Sequence, residues 1–381
     1  MAAIGMSVIC GTSIDEQARS LVHEGARPRI DVLEMERRLG ARLYEFSRLQ
    51  RPGAGGTGPR SAVRLAQRSG QWSIALALDA LEHIRDDDAV FVTGEDAGFA
   101  LAWLMELHRI SRPALVVRLE EMTYGRSIWK RTAFGLYRQN AMRRIDRLAC
   151  RTDAILQYLH AVERVPMEKL ALVGETVDQK FFAPELAASS ASPSPPCPSS
   201  SYILSAGMER RDYPTLIAAA SGLPIAVVIA AGSPWSHGRF EAWEPDRMPG
   251  NVSVSSFDAW NMRALYESAE LVVVPVRPSL RACGMNVVLE GWSMQKAVIA
   301  TRTVGLASWV THGVDGLLVE PYEPESLRSA ITGLLADPGR AAALAEQGHA
   351  VVENDLNIDR YVDRIGAILE GAADERRHRR R

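Results

Sequence analysis

Short β-branched apolar runs alternate with amphipathic stretches along most of the chain, the pattern of parallel strands buried on both faces and covered by helices. The first clear unit is Ala89-Val-Phe-Val-Thr93, continued by Gly94-Glu95-Asp96 and a helix from Ala97 to His108. Ala114 to Arg118 reads as the next strand, the region from about Arg126 to Arg147 as a long basic helical stretch, and Leu148 to Arg151 as a further strand. Thr152 and Asp153 open another helix, Thr152 as an N-cap oxygen and Asp153 as a carboxylate on the positive end of the helix dipole. From Ala187 to Ser201 the chain is Ala, Ser and Pro with Cys197 as the exception. Such a segment has too little apolar surface to offset its ordering entropy and is expected to be a linker. The alternation then resumes. Strands are expected at Tyr202 to Ser205, Ile225 to Ala230, Val252 to Ser255, Leu271 to Pro275, Ala297 to Thr301 and Gly316 to Val319. Helices at about Glu323 to Ala336, Gly339 to Glu353 and Ile358 to Leu369 close the chain.

With 381 residues, more than one hydrophobic core usually organises, this pattern implies two doubly wound α/β domains. The boundaries it suggests are 1–183 for an N-terminal domain, 184–201 for the linker and 202–355 for a C-terminal domain. A helix at 356–372 is placed to pack back on the N-terminal domain, and 373–381 is a basic tail expected to be disordered. A formal net charge of −2 gives no bulk attraction to nucleic acid or anionic membrane, so no nucleic-acid partner is expected. The four cysteines, Cys10, Cys150, Cys197 and Cys283, are far apart and show no CxxC spacing, which argues against a zinc site or a disulfide framework. The first ten residues hold no basic leader, and no run approaches the roughly 20 apolar residues that span a bilayer. A cytoplasmic location is the expectation, with membrane association at the inner face as one option.

Candidate chemistry concentrates between Leu271 and Pro321. In open α/β sheets, ligands gather at the carboxyl ends of the strands, so the residues after Leu271-Val-Val-Val-Pro275 should face a ligand. Ala282-Cys-Gly-Met-Asn286 leads into a helix whose first-turn N–H groups and positive dipole end suit a diphosphate. Gly284 would let the backbone approach closely. Glu290 lies one turn into that helix, where it could accept ribose hydroxyls or remain a salt-bridged helix carboxylate. Cys283, just before a helix N-terminus, is either a lowered-pKa thiol or a merely tolerated one. The Gly-rich loop from Arg51 to Pro59 lacks the GKS or GKT ending of a P-loop.

The segments Ala269 to Pro275, Leu289-Glu-Gly-Trp-Ser-Met-Gln-Lys-Ala-Val-Ile-Ala-Thr301, Val304-Gly305 and Gly313-Val-Asp-Gly-Leu-Leu-Val-Glu-Pro321 resemble the donor-site signature of glycosyltransferase family 4. Asp146 to Thr152, Val165 to Leu170 and Val177 to Phe182 are similar to the last strand and exit of that family's N-terminal half. Ser205-Ala-Gly-Met-Glu-Arg-Arg-Asp-Tyr-Pro-Thr-Leu-Ile217 is similar to the first strand and loop of its donor half. The resemblance covers about residues 140 to 369 and is weak before that.

It implies an α/β GT-B fold, two Rossmann-like doubly wound domains facing a central cleft, and a retaining transfer from a nucleotide-diphosphate sugar to a hydroxyl of a small-molecule, glycan or lipid-linked acceptor. No structural cofactor or metal is implied. Donor contacts fall on Gly207, Arg210, Arg211, Gly284, Met285, Asn286, Val287 and Glu290, with Glu290 as the ribose-binding carboxylate and Arg211 the better match for neutralising the leaving diphosphate. One departure matters: the family's first donor-site Glu falls on Ala282, whose methyl group accepts no hydrogen bond. That keeps a non-catalytic protein binding a nucleotide sugar or a partner open as an alternative, with a sugar epimerase or phosphorylase as a third reading.

The N-terminal half offers less. Glu95, after a strand end, is expected to act as acceptor ligand or electrostatic participant, or else as a helix-start charge. Arg118 could bind an anionic acceptor group or serve as a structural ion-pair partner. Arg126 to Arg151 interleaves arginines and Lys130 with Trp129, Phe134 and Tyr137, which suits either peripheral membrane contact or an ordinary solvated helix face. Asp86-Asp87-Asp88 imitates a metal-binding DxD motif but precedes its strand, at the edge opposite the expected ligand crevice.

Overall fold

The structure is a computed structural model, and it describes residues 4–46, 49, 60–119, 137, 139–184, 201–232 and 248–380. The chain divides into two compact units. One comprises Met1–Leu21, Ile30–Gly174 and Tyr361–Arg381, the other Val22–Arg29 and Glu175–Arg360. The Gly-rich loop at 51–59, nearly all of the Ala/Ser/Pro linker and most of the basic stretch from Arg126 lie outside the described residues.

The first unit is built on β1 (Met6–Cys10), β2 (Arg42–Glu45), β3 (Ala89–Val92), β4 (Ala114–Leu119), β5 (Arg147–Cys150) and β6 (Leu170–Leu172). They form one parallel sheet in the order β2-β1-β3-β4-β5-β6. The chain winds outward from β1 to β2, then returns to β3 on the other side, so the strand order reverses between β1 and β3. Because both faces are covered, alternate residues of β3 enter different cores: Val90 and Val92 pack with Leu76 and Phe99, whereas Phe91 packs with Met35, Tyr361 and Ile365. That two-sided burial is why the strand is a continuous apolar run.

The second unit repeats the plan with β7 (Tyr202–Ala206), β8 (Ala226–Ala230), β9 (Val252–Ser255), β10 (Leu271–Val274), β11 (Ala297–Thr301) and β12 (Leu317–Val319). Its parallel order is β12-β11-β10-β7-β8-β9, with the reversal between β7 and β10. Val272 and Val274 pack against Tyr266 and Trp292 on one face, Leu271 and Val273 against Leu216 and Ile331 on the other. All six strands expected after the linker form, each within a residue or so of its expected limits.

Two sequence expectations change, and the Asp triplet gains partners. The tail expected to be disordered from residue 373 continues the helix Ile358–Arg380. Ala372 and Ala373 are buried in the first unit's core, and Arg376 pairs with Asp146 at 2.8 Å. Those contacts offset the ordering entropy that a free basic tail could not. The end of the basic stretch is likewise not all solvated face. Arg144 is buried and donates to Asp146 at 3.3 Å and to the Pro113 carbonyl at 2.7 Å, and Arg147 pairs with Glu375. The Asp triplet is structural in two of its members, since Asp87 accepts the Ser7 hydroxyl at 2.5 Å and pairs with Arg42, while Asp88 accepts the Gly5 N–H at 3.1 Å. Asp86 is exposed. Among the described residues no three His, Cys, Asp or Glu side chains cluster as a metal site, and no helix is long and apolar enough to cross a membrane.

The helix Met285–Ser293 is anchored by Trp292, which is fully buried and donates its indole N–H to the Asp315 carbonyl at 2.8 Å. The helix Pro338–Asn354 crosses this indole at Gly348, where a methyl group would lie 2.2 Å from the ring. Gly348→Ala is therefore expected to destabilise the protein by about 1–3 kcal/mol through overpacking. Urea unfolding measures it, and an unchanged midpoint would show that the two helices separate freely.

Candidate functional site

In a doubly wound sheet the strand reversal splays the connecting loops apart at the carboxyl ends and leaves a crevice there. In the second unit the reversal falls between β7 and β10, so the crevice expected there is bordered by the loop after β7, residues 207–212, and the loop after β10, residues 275–284. Backbone pairing ties the two loops together: Asp212 N–H donates to the Pro275 carbonyl at 3.0 Å and Arg277 N–H to the Arg210 carbonyl at 2.8 Å. Arg210 adds a side-chain bond to the Pro278 carbonyl at 2.9 Å.

Arg211 sits at the seam. Its guanidinium is buried and donates to the Ala206 carbonyl at 2.7 Å through Nε and to the Glu209 carbonyl at 3.0 Å through Nη1. Glycines flank it. Gly207 has φ of 90°, and a Cβ there would stand 2.5 Å from Arg211 Nη2. Gly284 has φ of 96°, and a Cβ there would stand 2.7 Å from the Val274 side chain and 3.5 Å from Arg211 Nη1. Both positions have the left-handed backbone that favours glycine, and a side chain would crowd the Arg211 guanidinium at Gly207 and Val274 at Gly284.

Glu290 lies on the second turn of the Met285–Ser293 helix, partly buried, with its Oε2 accepting the Tyr266 hydroxyl at 2.6 Å. Burial pushes its carboxyl pKa up to about 7, against the opposing pull of the Tyr266 hydroxyl and the Arg211 guanidinium. Tyr266 is fully buried, as is almost all of Tyr213, whose hydroxyl donates to the Gly207 carbonyl.

The start of the helix differs from expectation. The Met285 N–H donates to the Ala282 carbonyl at 2.9 Å and the Val287 N–H to the Gly284 carbonyl at 3.0 Å, while both side chains are buried. These two residues therefore shape the turn rather than present free donors, and Asn286 is the exposed side chain of the first turn. The Cys283 thiol is pushed up, by burial first and then by the nearby Glu209 carboxylate, so it is not a lowered-pKa nucleophile.

In the first unit the corresponding crevice is at the ends of β1 and β3, where Thr93 Oγ1 accepts the Gly11 N–H at 3.2 Å. Glu95 opens the helix Glu95–Leu107 immediately after Gly94 and is partly buried. Arg118 is placed differently from the acceptor-binding expectation: its Nη1 donates to Asp31 and to the Tyr361 hydroxyl, each at 3.1 Å. A guanidinium with most of its surface buried needs such a carboxylate, so Arg118 is an ion-pair partner within its own unit. Gly207, Arg210, Arg211, Gly284, Met285, Asn286, Val287 and Glu290 thus meet at one crevice of the second unit, whereas Glu95 and Arg118 belong to the first. Glu209, Tyr213 and Tyr266 join the crevice without having been singled out. Tyr266 carries no sequence signal, since its contact with Glu290 depends on how two helices pack.

A buried guanidinium, backbone that admits close approach and a half-buried carboxylate suit a ligand with an anionic centre flanked by hydroxyls. Residues 210–337 match a family model described as glycosyl transferases group 1. Over 246 residues the chain is 25% identical to a D-inositol 3-phosphate glycosyltransferase of Mycolicibacterium paratuberculosis, covering 62% of this chain and 55% of that protein. It is 26% identical over 131 residues to a lipopolysaccharide core biosynthesis glycosyltransferase of Rhizobium meliloti, 34% of this chain and 33% of that one. The matched regions span between about a third and about half of these two relatives. Among solved structures, a UDP-forming α,α-trehalose-phosphate synthase from Burkholderia vietnamiensis superposes with a TM-score of 0.69 at 15% identity, covering 97% of this chain and 99% of that one. Anabaena HepE in complex with UDP-glucose gives 0.65 at 15% identity, with 96% and 99% covered. The fold is that of a two-domain, Rossmann-like GT-B protein. The domain match and this fold together support a glycosyltransferase.

The raised Glu290 pKa has a testable sign. Between its ordinary value of 4.5 and about 7, the folded protein holds a proton that the unfolded chain has released. Folding stability from this group is therefore present below pH 4.5 and lost as pH rises toward 7. Glu290→Gln removes the titration, so the melting temperature of the variant relative to the unsubstituted protein should rise between pH 4.5 and pH 7.5. A difference that stays constant across that range would mean that Glu290 ionises normally.

Proposed function

We propose that the protein transfers a sugar from a nucleotide-diphosphate donor to a hydroxyl acceptor with retention of anomeric configuration. The donor part of this reading is carried by the buried Arg211 guanidinium and the Glu290 carboxylate that feels its charge, beside the left-handed glycines Gly207 and Gly284, and the retention by the resemblance of the donor-site segments. In the reaction the bond between the anomeric carbon and the phosphate oxygen breaks, the acceptor oxygen bonds to that carbon, and the acceptor proton leaves with the nucleoside diphosphate or to solvent. Glu290 accepts ribose hydroxyls through the carboxylate edge that Tyr266 leaves open. Arg211, with Arg210 at the rim, offsets the charge that develops on the leaving diphosphate. Glu95 is assigned to the acceptor side, as an electrostatic participant in the first unit. A coupling constant measured by NMR on the isolated product reads the configuration, and inversion would contradict that part of the reading.

A second reading, a protein that binds a nucleotide sugar without transferring it, is favoured by Ala282, which offers no acceptor to the sugar, and by the engagement of Arg118 with Asp31. A turnover assay over a panel of nucleotide sugars separates the two, since a binding protein saturates without releasing product.

Glu290→Gln should weaken nucleotide-sugar binding roughly 10- to 100-fold, the loss of one or two charge-assisted hydrogen bonds. Calorimetric titration at pH 8 measures it, and unchanged affinity in a folded variant would remove Glu290 from the site. Turnover is expected to need no divalent metal, because Arg210 and Arg211 supply the positive charge. It should survive EDTA, and Asp86→Ala should leave it nearly unchanged. Loss in chelator with recovery on adding magnesium or manganese would overturn the arginine assignment.

A further inference from the structure

The two loops that frame the crevice differ in the side chains they can offer a sugar. The loop after β10, Pro275-Val-Arg-Pro-Ser-Leu-Arg-Ala-Cys-Gly284, contains no carboxylate or amide side chain. The loop after β7 has two acids. Asp212 is buried and accepts the Thr215 hydroxyl at 2.7 Å, which turns it into its own helix start. Glu209 remains half-exposed, with its Oε1 2.8 Å from Arg281 Nη1 across the seam. Its own carbonyl accepts from Arg211, and its charge reaches the Cys283 thiol, so the carboxylate lies over the Arg281–Gly284 turn. The crevice therefore carries acceptors on both sides of its buried cation: Glu290 on the helix, Arg211 at the seam and Glu209 on the loop. A nucleoside diphosphate sugar has the matching order of groups, with ribose hydroxyls at one end, the diphosphate in the middle and the sugar hydroxyls at the other.

Resting on the donor reading above, we infer that Glu209, carried by the β7 loop and oriented by Arg281, binds hydroxyls of the transferred sugar and so governs which sugar is accepted. A hydroxyl bonded to a carboxylate is discriminated more strongly than one facing a methyl group such as Ala282, which accepts no hydrogen bond.

The test compares each nucleoside diphosphate with its sugar-bearing form, starting with UDP and UDP-glucose and extending to GDP and ADP pairs, by calorimetric titration. For the pair with the largest gain in affinity from the sugar, Glu209→Gln should reduce that gain about ten-fold or more and leave the affinity for the bare diphosphate within about two-fold. The pair with Arg281 is partly exposed, so the variant is expected to fold, and Glu209→Asp should recover part of the gain. An equal loss for both ligands, or no loss, overturns the inference while the donor reading stands. The same holds if the unsubstituted protein binds diphosphates but gains nothing from any sugar. Failure of the unsubstituted protein to bind any of these ligands overturns the donor reading and the inference with it.

Discussion

A buried guanidinium cannot be left without acceptors, and the way Arg211 meets that demand shapes the second unit's crevice. It takes the carbonyl that ends β7 and the carbonyl of Glu209 within its own loop, at 2.7 and 3.0 Å. To do so it must lie flat against backbone, which excludes a side chain at Gly207 and constrains Gly284. Both glycines make left-handed turns. They also let the loop after β10 enter its helix at Met285. The buried charge thus lies against the loop after β7 and beside the glycine that precedes the helix bearing Glu290.

The neighbouring groups are arranged around that charge. Tyr266, itself fully buried, fixes one oxygen of Glu290, and burial leaves this carboxyl close to half-ionised near neutral pH. Hydroxyl donors from a ligand would stabilise the charged form, so nucleotide binding near pH 7 should be coupled to proton release. The first unit uses its buried charges differently. Asp146 gathers Arg144, Arg376 and the Leu115 N–H, and Asp31 takes Arg118. Both groupings tie the C-terminal helix or its neighbours to the sheet.

The sheets were legible in the sequence where strands are nearly continuous apolar runs, as in β3 and β10, which cannot be solvent-facing. Strands β1, β2 and β6 were not singled out: β2 and β6 are short and partly exposed, with Arg42 and Glu45 in β2, whereas β1 is a five-residue buried strand whose Ser7 and Cys10 interrupt the apolar run. The turns at the ends of β7 and β10 were legible through Gly207 and Gly284, since glycines at strand ends keep their meaning in any doubly wound sheet. What escaped were properties of tertiary packing. The partner of Arg118 is 87 residues away in the chain. The contact of Tyr266 with Glu290 depends on the packing of two helices. The order in the basic tail depends on a carboxylate 230 residues before it.

The claim on which the rest depends is that the crevice of the second unit, at the reversal between β7 and β10, is where a nucleotide binds. Amide hydrogen exchange of the ligand-free and UDP-saturated protein tests it without any substitution. The account predicts slowed exchange in residues 207–212 and 275–290, whose backbone would border the diphosphate and ribose. Protection at the ends of β1 and β3 in the first unit, with exchange in 207–212 and 275–290 unchanged, would contradict it.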